Sequence, residues 1–277
     1  MPSSSVQVKR AVAIERIADA HDDRLAPFRG VADPELVRRR GQFIAEGRLV
    51  VRRVAGDARF HVRALMTNDA ARAQLADAIA RLPEETPVYV CAADAFVAVT
   101  GYHIHRGCLA LVDRPPARTV DEVVAAAETI VVLEAVANAD NVGAIFRHAA
   151  AFGCGAVVLS PGCCDPLYRK AIRTSMGAVL QVPYAIASAW PDALARVRAA
   201  GYTIAALTPR DIATPLDAFA RKRPTRVALV AGTEGAGLSA DAEAMADVRV
   251  RIPISGAVDS LNVATAVAIA LYEVSRE

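Results

Sequence analysis

Three polar side chains stand where a loop leads the chain into a long apolar segment. In the stretch IPISGAVDSLNVATAVAIALYE, Asp259, Ser260 and Asn262 come directly before residues that are mostly Ala, Val, Ile and Leu. Such groups can hydrogen-bond a substrate hydroxyl or cap a helix. A helix that is apolar on nearly every face must be buried, so we expect its polar start to lie near the interior, where polar groups need partners. Capping accounts for one of the three, not for all.

A second candidate segment, NADNVGAIFRHAAAFG, places Asn141 at the start of a predicted helix, six residues before Arg147. Six residues are about 1.7 helical turns, so the two side chains are offset around the helix and need not touch. Arginine offers a permanent positive charge to a phosphate or to a developing anion. Taken alone, the pair is more simply explained as an N-cap at Asn141 and a surface cation at Arg147.

A third segment, VAGTEGAGLS, is a glycine-rich loop between a predicted strand and a helix capped by Ser239. Gly232, Gly235 and Gly237 allow the backbone to approach a ligand closely and leave N–H groups free to donate. Lys and Ser/Thr do not follow the last glycine, so the loop is not a P-loop, and its spacing differs from the dinucleotide fingerprint. The sequence therefore disfavours a kinase and a nicotinamide dehydrogenase.

These segments belong to a pattern of alternating strands and helices. Buried strands of Val, Ile and Leu separated by helices predict an α/β domain with a parallel sheet covered on both faces. Ligands bind such sheets beyond the carboxyl ends of the strands, which selects the loops at 136–141, 232–239 and 253–260. The predicted strands are TIVVLEAV, AVVLS, YTIAAL, RVALVAG and VRVRIP, and the predicted helices lie near 141–152, 167–176, 190–200, 239–246 and 261–275.

The first part of the chain is the more basic part. Residues 1–118 hold 18 Lys and Arg against 14 Asp and Glu, and the stretch from Arg38 to Arg53, within a segment 34–54 predicted to be mainly helical, carries six arginines against the single acid Glu46. Such a run suits a polyanion, because neutralised phosphates release counterions. A solvated helix face explains the charge equally well. The candidate polyanion-binding residues are Arg38, Arg39, Arg40, Arg48 and Arg52.

Length and composition indicate two domains. Strand-like runs around a helix near 68–82 predict a small α/β domain that ends near residue 115, where DRPPART breaks the pattern. The 277 residues include 54% apolar ones but no run of the roughly 18 that a membrane span needs, and the start lacks the apolar stretch of a secretory signal. We therefore expect a cytoplasmic protein without a membrane partner.

The cysteines and histidines do not predict a metal site. Five cysteines include no C-x-x-C pair, so reduced thiols are expected, with Cys163 and Cys164 as small residues in a loop. His103 and His105 form an H-x-H that lacks an acidic or sulfur partner at ligand spacing. A polar turn is the better interpretation of that motif than zinc.

Together the three segments resemble the SpoU class of the SPOUT methyltransferases, the TrmH-like RNA ribose 2'-O-methyltransferases. The motifs NVGAIFRHAAAFG, LVAGTEGAGLS and IPISGAVDSLNVATAVA stand in the family's order, and the resemblance covers residues 129–275. In the N-terminal part, FIAEGRLVVRRVA and HRGCLALV resemble more loosely a substrate-recruiting domain of the L30e ribosomal-protein type. We therefore expect an L30e-like RNA-binding domain over residues 1–115 and a SpoU methyltransferase domain over residues 120–277.

The resemblance implies a deep trefoil knot in the C-terminal domain, which general topology rules would not predict. It also implies a homodimer through that domain and S-adenosylmethionine as cofactor. Arg147 matches the family's catalytic arginine, and we expect it to stabilise charge rather than to accept a proton, because a guanidinium stays protonated. The residues expected to orient it and the ribose are Asn141, Glu234, Ser260 and Asn262, and those expected to hold the cofactor are Thr208, Gly232, Ile252 and Leu261.

The expected reaction is methyl transfer from S-adenosylmethionine to a ribose 2'-hydroxyl. Ribosomal RNA is favoured over transfer RNA, because an appended RNA-binding module suits recognition of a folded loop. The alternatives are a transfer RNA substrate, a base methyltransferase of a related knotted family, and a non-catalytic RNA-binding or assembly protein with the same fold. Arg147 favours ribose over base, and the presence of all five catalytic candidates speaks against a pure binding protein.

Overall fold

The computed structural model describes residues 12–29, 32–100, 107–210, 212–255 and 257–276. The chain divides into two compact units, Met1–Pro115 and Pro116–Glu277, each with its own sheet. The L30e-like nature of the first unit stays a prediction, and the H-x-H motif of His103 and His105 lies outside the described residues. No helix within the described ranges is long and apolar enough to cross a membrane.

The first unit has a mixed sheet. Its strands are β1 (Ile14–Ile17), β2 (Gln42–Glu46), β3 (Val62–Thr67), β4 (Val88–Cys91) and β5 (Cys108–Asp113). They lie in the order β1-β4-β3-β5-β2, with β5 antiparallel to both of its neighbours and the other pairs parallel. The helices are α1 (Arg48–Gly56), α2 (Asp69–Gln74), α3 (Ala76–Ile79) and α4 (Ala93–Thr100), with a 3₁₀-helix at Asp23–Phe28 and a π-helix at Glu35–Arg39.

The prediction that residues 34–54 are mainly helical is wrong in the middle of the segment. Strand β2 separates the π-helix from α1, and its residues Phe43, Ile44 and Ala45 are almost completely buried. Gly41 and Gly47 flank the strand with φ of +64° and +91°, a conformation that a helix cannot continue through. The arginine-rich run is therefore divided among separate elements.

The second unit has a seven-stranded sheet in which all neighbours are parallel. Its strands are β6 (Thr129–Glu134), β7 (Ala156–Leu159), β8 (Tyr184–Ile186), β9 (Thr203–Leu207), β10 (Thr214–Pro215), β11 (Val227–Gly232) and β12 (Val248–Arg251). Its helices are α5 (Val120–Val124), α6 (Ala139–Ala151), α7 (Arg169–Thr174), α8 (Asp192–Ala199), α9 (Leu216–Ala220), α10 (Ala240–Ala244) and α11 (Val263–Ser275), with a 3₁₀-helix at Ala178–Leu180.

The strand order β10-β12-β9-β11-β6-β7-β8 places the site at the centre of this sheet. The chain runs outward from β6 to β7 and β8 and then crosses to the other side of β6, so β6 and β11 form a topological switch point. Residues 130–133 of β6 and 227–230 of β11 have no exposed surface, as expected for strands covered on both faces. Ligand sites are expected beyond the carboxyl ends of strands at such a point.

The parallel α/β architecture predicted from the sequence is confirmed, and the five predicted strands correspond to β6, β7, β9, β11 and β12. The prediction missed β8 and β10, which have only three and two residues and lie at the two edges of the sheet. Helix α11 is not buried on every face, because Ile269 and Tyr272 are 36% and 51% exposed.

Candidate active site

The loop between β11 and α10 folds back on itself. Gly237 N donates to Thr233 O at 3.0 Å, and the same two residues form an isolated antiparallel bridge. A Cβ atom on Gly232 would lie 2.2 Å from the carbonyl carbon of Gly237, so no larger residue fits there. Gly237 itself has φ of +73°. The glycines therefore form a tight loop, and Glu234 is carried within it.

Asn262 joins three segments of the chain through hydrogen bonds. It is the N-cap of α11, and its Oδ1 accepts from the backbone N of Ala264 and Thr265 at 2.9 and 3.2 Å. Its Nδ2 donates to Oδ1 of Asn141 at 2.9 Å and to Oε1 of Glu234 at 2.5 Å. The start of α11, the first turn of α6 and the glycine-rich loop are thus held together by one side chain.

Two expectations about this cluster need correction. Asn141 does not cap α6, because the N-cap is Asn138, whose side chain accepts from the N of Asp140 at 2.8 Å. Asn141 lies in the first turn and is only 7% exposed. The start of α11 is not interior, since Asp259, Ser260 and Asn262 are exposed. Its polar groups therefore face solvent, where a substrate can reach them.

A cavity of about 760 Å³, partly open to solvent, lies at the carboxyl ends of β9, β11 and β12. All four residues predicted to hold a cofactor line it, and so do the predicted catalytic residues Glu234 and Ser260. Asn141, Arg147 and Asn262 are not among its lining residues. The cavity is lined by Thr208, Gly232, Ile252, Leu261, Glu234 and Ser260 together with Leu207, Val250 and other mainly apolar residues.

Arg147 is exposed on the side of α6 that packs against α7. Asp140, Gly143 and Arg147 follow one another at spacings of three and four residues and so share one helix face. Gly143 lies so close to α7 that a Cβ atom would be 2.6 Å from the backbone oxygen of Ala171. The spacing therefore places Arg147 at the rim of the contact between α6 and α7.

Positive charge collects along this contact. Oδ2 of Asp140 pairs with Lys170 Nζ at 2.6 Å, and its Oδ1 accepts from Thr174 Oγ1 at 3.1 Å. The Lys170 ammonium holds the pKa of Asp140 below its usual value, and Arg173 nearby contributes in the same direction. Within the described part of the chain, neither Arg147 nor Arg173 forms an ion pair. Both guanidinium groups are therefore available to an anion.

His148 connects this helix to the start of α11. Burial lowers the pKa of the imidazole, a backbone hydrogen bond at Ala264 opposes that effect, and the charge of Arg147 lowers the pKa further. Its Nδ1 is buried and makes no hydrogen bond to the described residues. The neutral form is favoured, so Arg147 has no second full positive charge directly beside it.

The candidate arginines of the first unit lie on different elements. Arg38 and Arg39 belong to the π-helix and Arg40 follows it, whereas Arg48 and Arg52 lie on α1. Arg39 and Arg40 share Glu35, with N–O distances of 3.1 and 3.8 Å, and Arg52 pairs with Asp77 at 3.0 Å. Exposed pairs of this kind are weak, so they can open to a phosphate at small cost.

Glu134 is a polar residue of this region that the sequence reasoning did not single out. It ends β6, is 7% exposed, and accepts hydrogen bonds from the indole of Trp190 and from the backbone N of Ser239. An acid directly after the apolar run IVVL was the available signal. Its partners are 56 and 105 residues away in sequence, so local pattern could not identify them.

The thiols and the acids show no further cluster of functional groups. All five cysteines are buried and outside any disulfide, and burial raises the pKa of Cys91 and of Cys154 to about 11. Such thiols are poor nucleophiles at neutral pH. Across the described residues, no group of three or more His, Cys, Asp or Glu is placed to hold a metal ion.

Comparison with known proteins identifies the family. Residues 128–272 match the model of the SpoU rRNA Methylase family. The chain is 44% identical over 268 residues to the uncharacterized tRNA/rRNA methyltransferase Rv0881 of Mycobacterium tuberculosis, covering 95% of this chain and 92% of the relative. It is 30% identical over 184 residues to the 23S rRNA (guanosine(2553)-2'-O)-methyltransferase RlmP of Bacillus subtilis, covering 66% and 71% of the two chains.

The fold also matches solved structures. The crystal structure of an AdoMet-bound rRNA methyltransferase from Sinorhizobium meliloti superimposes with a TM-score of 0.78 at 24% identity, covering 94% of this chain and 97% of that one. The structural match confirms the predicted parallel α/β class, and the family model and the relatives confirm the predicted class of enzyme, an RNA methyltransferase. With three motifs in order, a matching family model and a relative similar over nearly its whole length, the chain belongs to the SpoU rRNA methylase family.

Proposed function

We propose that this protein transfers a methyl group from S-adenosylmethionine to a ribose 2'-hydroxyl of structured RNA, with ribosomal RNA as the substrate class. The observation that carries the proposal is the hydrogen-bonded set of Asn141, Asn262 and Glu234 beside the cavity at the strand ends. These side chains come from three different motifs of the family. Rv0881 and RlmP, whose names specify tRNA/rRNA and 23S rRNA, support RNA as the substrate.

The cavity fits S-adenosylmethionine. Leu207, Ile252 and Leu261 supply apolar walls suited to a flat adenine, and Thr208 and Ser260 supply polar groups at the lining. When bound, S-adenosylmethionine supplies a methyl group that is already activated by a positively charged sulfur. The protein then has to orient the acceptor and to favour loss of its proton.

Arg147 stabilises negative charge in this proposal. Its guanidinium stays protonated and cannot act as a base, but it can hold a phosphate next to the target ribose and stabilise the alkoxide that forms. Arg173 and Lys170 on α7 extend the same positive face along the RNA backbone. Asn141, Glu234, Ser260 and Asn262 orient the ribose, and Asn262 couples Asn141 and Glu234 to α11.

RNA recruitment and assembly complete the proposal. Arg38, Arg39, Arg40, Arg48 and Arg52 bind RNA backbone from an L30e-like first unit, and the reaction takes place in the cytoplasm. The second unit forms a homodimer, for which the exposed apolar side chains Ile269 and Tyr272 of α11 are suited. A trefoil knot is part of the same proposal, supported by the fact that Ile252, Ser260 and Leu261 line the cavity together with residues of the glycine-rich loop.

The proposal is tested with S-adenosylmethionine radiolabelled in its methyl group. The purified protein is incubated separately with ribosomal and transfer RNA from a strain that lacks its gene, and the labelled nucleotides are identified. Label as 2'-O-methylnucleotide in ribosomal RNA is the expected result. Label on a base would overturn the ribose assignment, and label confined to transfer RNA would overturn the substrate class.

Replacing Arg147 by Ala isolates the role of the guanidinium. We expect turnover to fall on the order of 10²- to 10³-fold, because one stabilising donor in the transition state is lost, while cofactor affinity stays near that of the wild type. Arg196→Ala is the matched control, since it removes an exposed arginine of the same unit that pairs with Asp121. An Arg147→Ala variant with full activity would disprove this assignment.

A further inference from the structure

Glu134 occupies the switch point of the sheet without lining the cavity. It is the last residue of β6 and lies opposite Gly232 in the register with β11. It is an acidic residue that is only 7% exposed, and it follows four apolar residues of the same strand. A buried carboxylate is costly unless its oxygens accept hydrogen bonds, so a residue of this type at the end of a core strand requires a reason.

Both carboxylate oxygens of Glu134 are engaged, each by a different segment. Oε1 accepts from Nε1 of Trp190 at 2.5 Å, and Oε2 accepts from the backbone N of Ser239 at 2.8 Å. Ser239 is the N-cap of α10 and stands at the far end of the glycine-rich loop. Glu134 therefore ties that end of the loop to the end of the neighbouring strand.

The loop from Gly232 to Ser239 is thus held at three places. Its start continues β11, its middle is closed by the bridge between Thr233 and Gly237, and its end is held by Glu134. Glu234 lies inside this closed loop and accepts the hydrogen bond from Asn262. If the hydrogen bond between Glu134 and Ser239 is lost, the loop that carries Glu234 is held at its start and middle but no longer at its end.

We propose that Glu134 is a positioning residue for methyl transfer. It does not line the cavity, but it holds the loop 232–239 in the shape that forms part of the cavity wall and presents Glu234 to Asn262. The role in catalysis rests on the proposed function, whereas the effect on the loop does not.

The chemistry of the position requires a carboxylate. Two N–H donors converge on Glu134 from different directions, and an ionised carboxylate has acceptor sites on both oxygens. Glutamine has one acceptor oxygen and one NH₂ donor, so one of the two N–H groups would face another donor. Glu134→Gln therefore keeps the size of the side chain and removes one attachment.

The experiment uses the full chain and three variants: Glu134→Gln, Trp190→Phe and Tyr202→Phe. Tyr202→Phe is the control, because it also removes buried hydrogen bonds of the second unit, those from its hydroxyl to the backbone oxygens of Val124 and Ala127. Amide hydrogen exchange of residues 233–239 is measured in the free protein. Affinity for S-adenosylhomocysteine, kcat and KM are measured in parallel, below the unfolding transition of every variant.

In Glu134→Gln we expect faster exchange of the loop amides and about tenfold weaker binding of S-adenosylhomocysteine, as an unsatisfied buried donor implies. We also expect a fall in kcat that persists at saturating cofactor. Trp190→Phe, which leaves the bond to Ser239, should show the same changes to a smaller extent. Tyr202→Phe should lower the unfolding temperature without changing loop exchange or affinity.

Two results would overturn the proposal. The first is a Glu134→Gln variant whose loop exchange and S-adenosylhomocysteine affinity are unchanged. The second is a Tyr202→Phe variant in which both quantities change as much as in Glu134→Gln, because Glu134 would then be a general stabilising residue. A wild-type protein that methylates neither RNA class would refute the proposed function. The exchange measurement needs no RNA, so it would still show whether Glu134 positions the loop. Should Glu134→Gln fail to fold, the same comparison of Trp190→Phe with Tyr202→Phe decides between these outcomes.

Discussion

At the scale of single residues, the side chain of Asn262 divides its atoms between a helix cap and the proposed catalytic site. Its oxygen caps α11 and its amide nitrogen reaches both Asn141 and Glu234. The capping interpretation and the catalytic interpretation of this residue are therefore not alternatives. Because the two roles use different atoms, substitution can separate them.

Asn262→Asp removes the donor and keeps the cap. Aspartate is as good an N-cap as asparagine, so the cap is kept, and the free energy of unfolding should fall only through repulsion between the new carboxylate and that of Glu234, which is modest at an exposed site. The Nδ2 bonds to Asn141 and Glu234 are lost, and we expect methyl transfer to fall on the order of 10²-fold, the usual effect of removing one such donor. Single-turnover methyl transfer and urea unfolding measure the two quantities.

Asn262→Ala is the companion variant, because it removes both functions. It should lose the same activity and also about 1 kcal/mol of stability through the missing cap. If Asn262→Asp transfers methyl groups at the wild-type rate, Asn262 acts only as a cap.

At the scale of elements, the contact between α6 and α7 determines where Arg147 and Arg173 lie. A Cβ atom on Gly143 would be 2.6 Å from the oxygen of Ala171 and 2.9 Å from Cβ of Thr174, so the helices approach as closely as a glycine permits. Asp140 strengthens the same contact through Lys170 and Thr174. The helix pair is therefore a rigid support for the positive face proposed to bind RNA.

Gly143→Ala tests that close approach. In an open helix position this change stabilises by up to about 1 kcal/mol, but here the clash is with backbone and should outweigh the gain, with a net loss of about 1–3 kcal/mol. Displacement of α7 should also weaken RNA binding, measured by filter binding alongside thermal unfolding.

Gly56→Ala is the matched control for Gly143→Ala. Gly56 is also helical, but its Cβ would meet only the end of the flexible Arg81 side chain at 3.2 Å. That variant should be as stable as the wild type or more so. A Gly143→Ala protein of unchanged stability would show that α7 can move away freely.

At the scale of the whole molecule, the two compact units divide the proposed tasks between them. Every described residue that lines the cavity lies between Leu207 and Ala266, in the second unit. The candidate RNA-binding arginines between Arg38 and Arg52 all lie in the first. Cofactor binding and RNA recruitment should therefore be separable along the chain.

A fragment of residues 116–277 should bind S-adenosylhomocysteine with the affinity of the full chain. Its affinity for RNA should be at least about tenfold lower, with a shallower dependence on salt, because fewer phosphates are neutralised. Calorimetry and filter binding at several salt concentrations measure both. Arg39→Ala and Arg48→Ala in the full chain provide the same test without truncation. If the fragment binds RNA as tightly as the full chain does, RNA recruitment does not depend on the first unit.

Much of this protein follows from local sequence pattern. The apolar runs that became β6 and β11 are long and continuous, so burial on both faces was predictable, and the glycine loop and the polar start of α11 were identified by residue type alone. The short strand β2 was missed because the arginines around it resemble a helix face, and two glycines of positive φ decide otherwise. Local pattern is sufficient where the pattern is strong and long.

The sequence by itself determined the family and the parallel α/β class, and it supplied the candidate residues of the proposed site other than Glu134. Only the tertiary structure decided which of them touch. Asn262 meets a residue 121 positions earlier, and Glu134 meets one 105 positions later, because the strand order places β6 beside β11 and α11 beside α6. Hydrogen bonds form over about 3 Å, so partners so far apart in the chain are defined only once the sheet has brought their segments together.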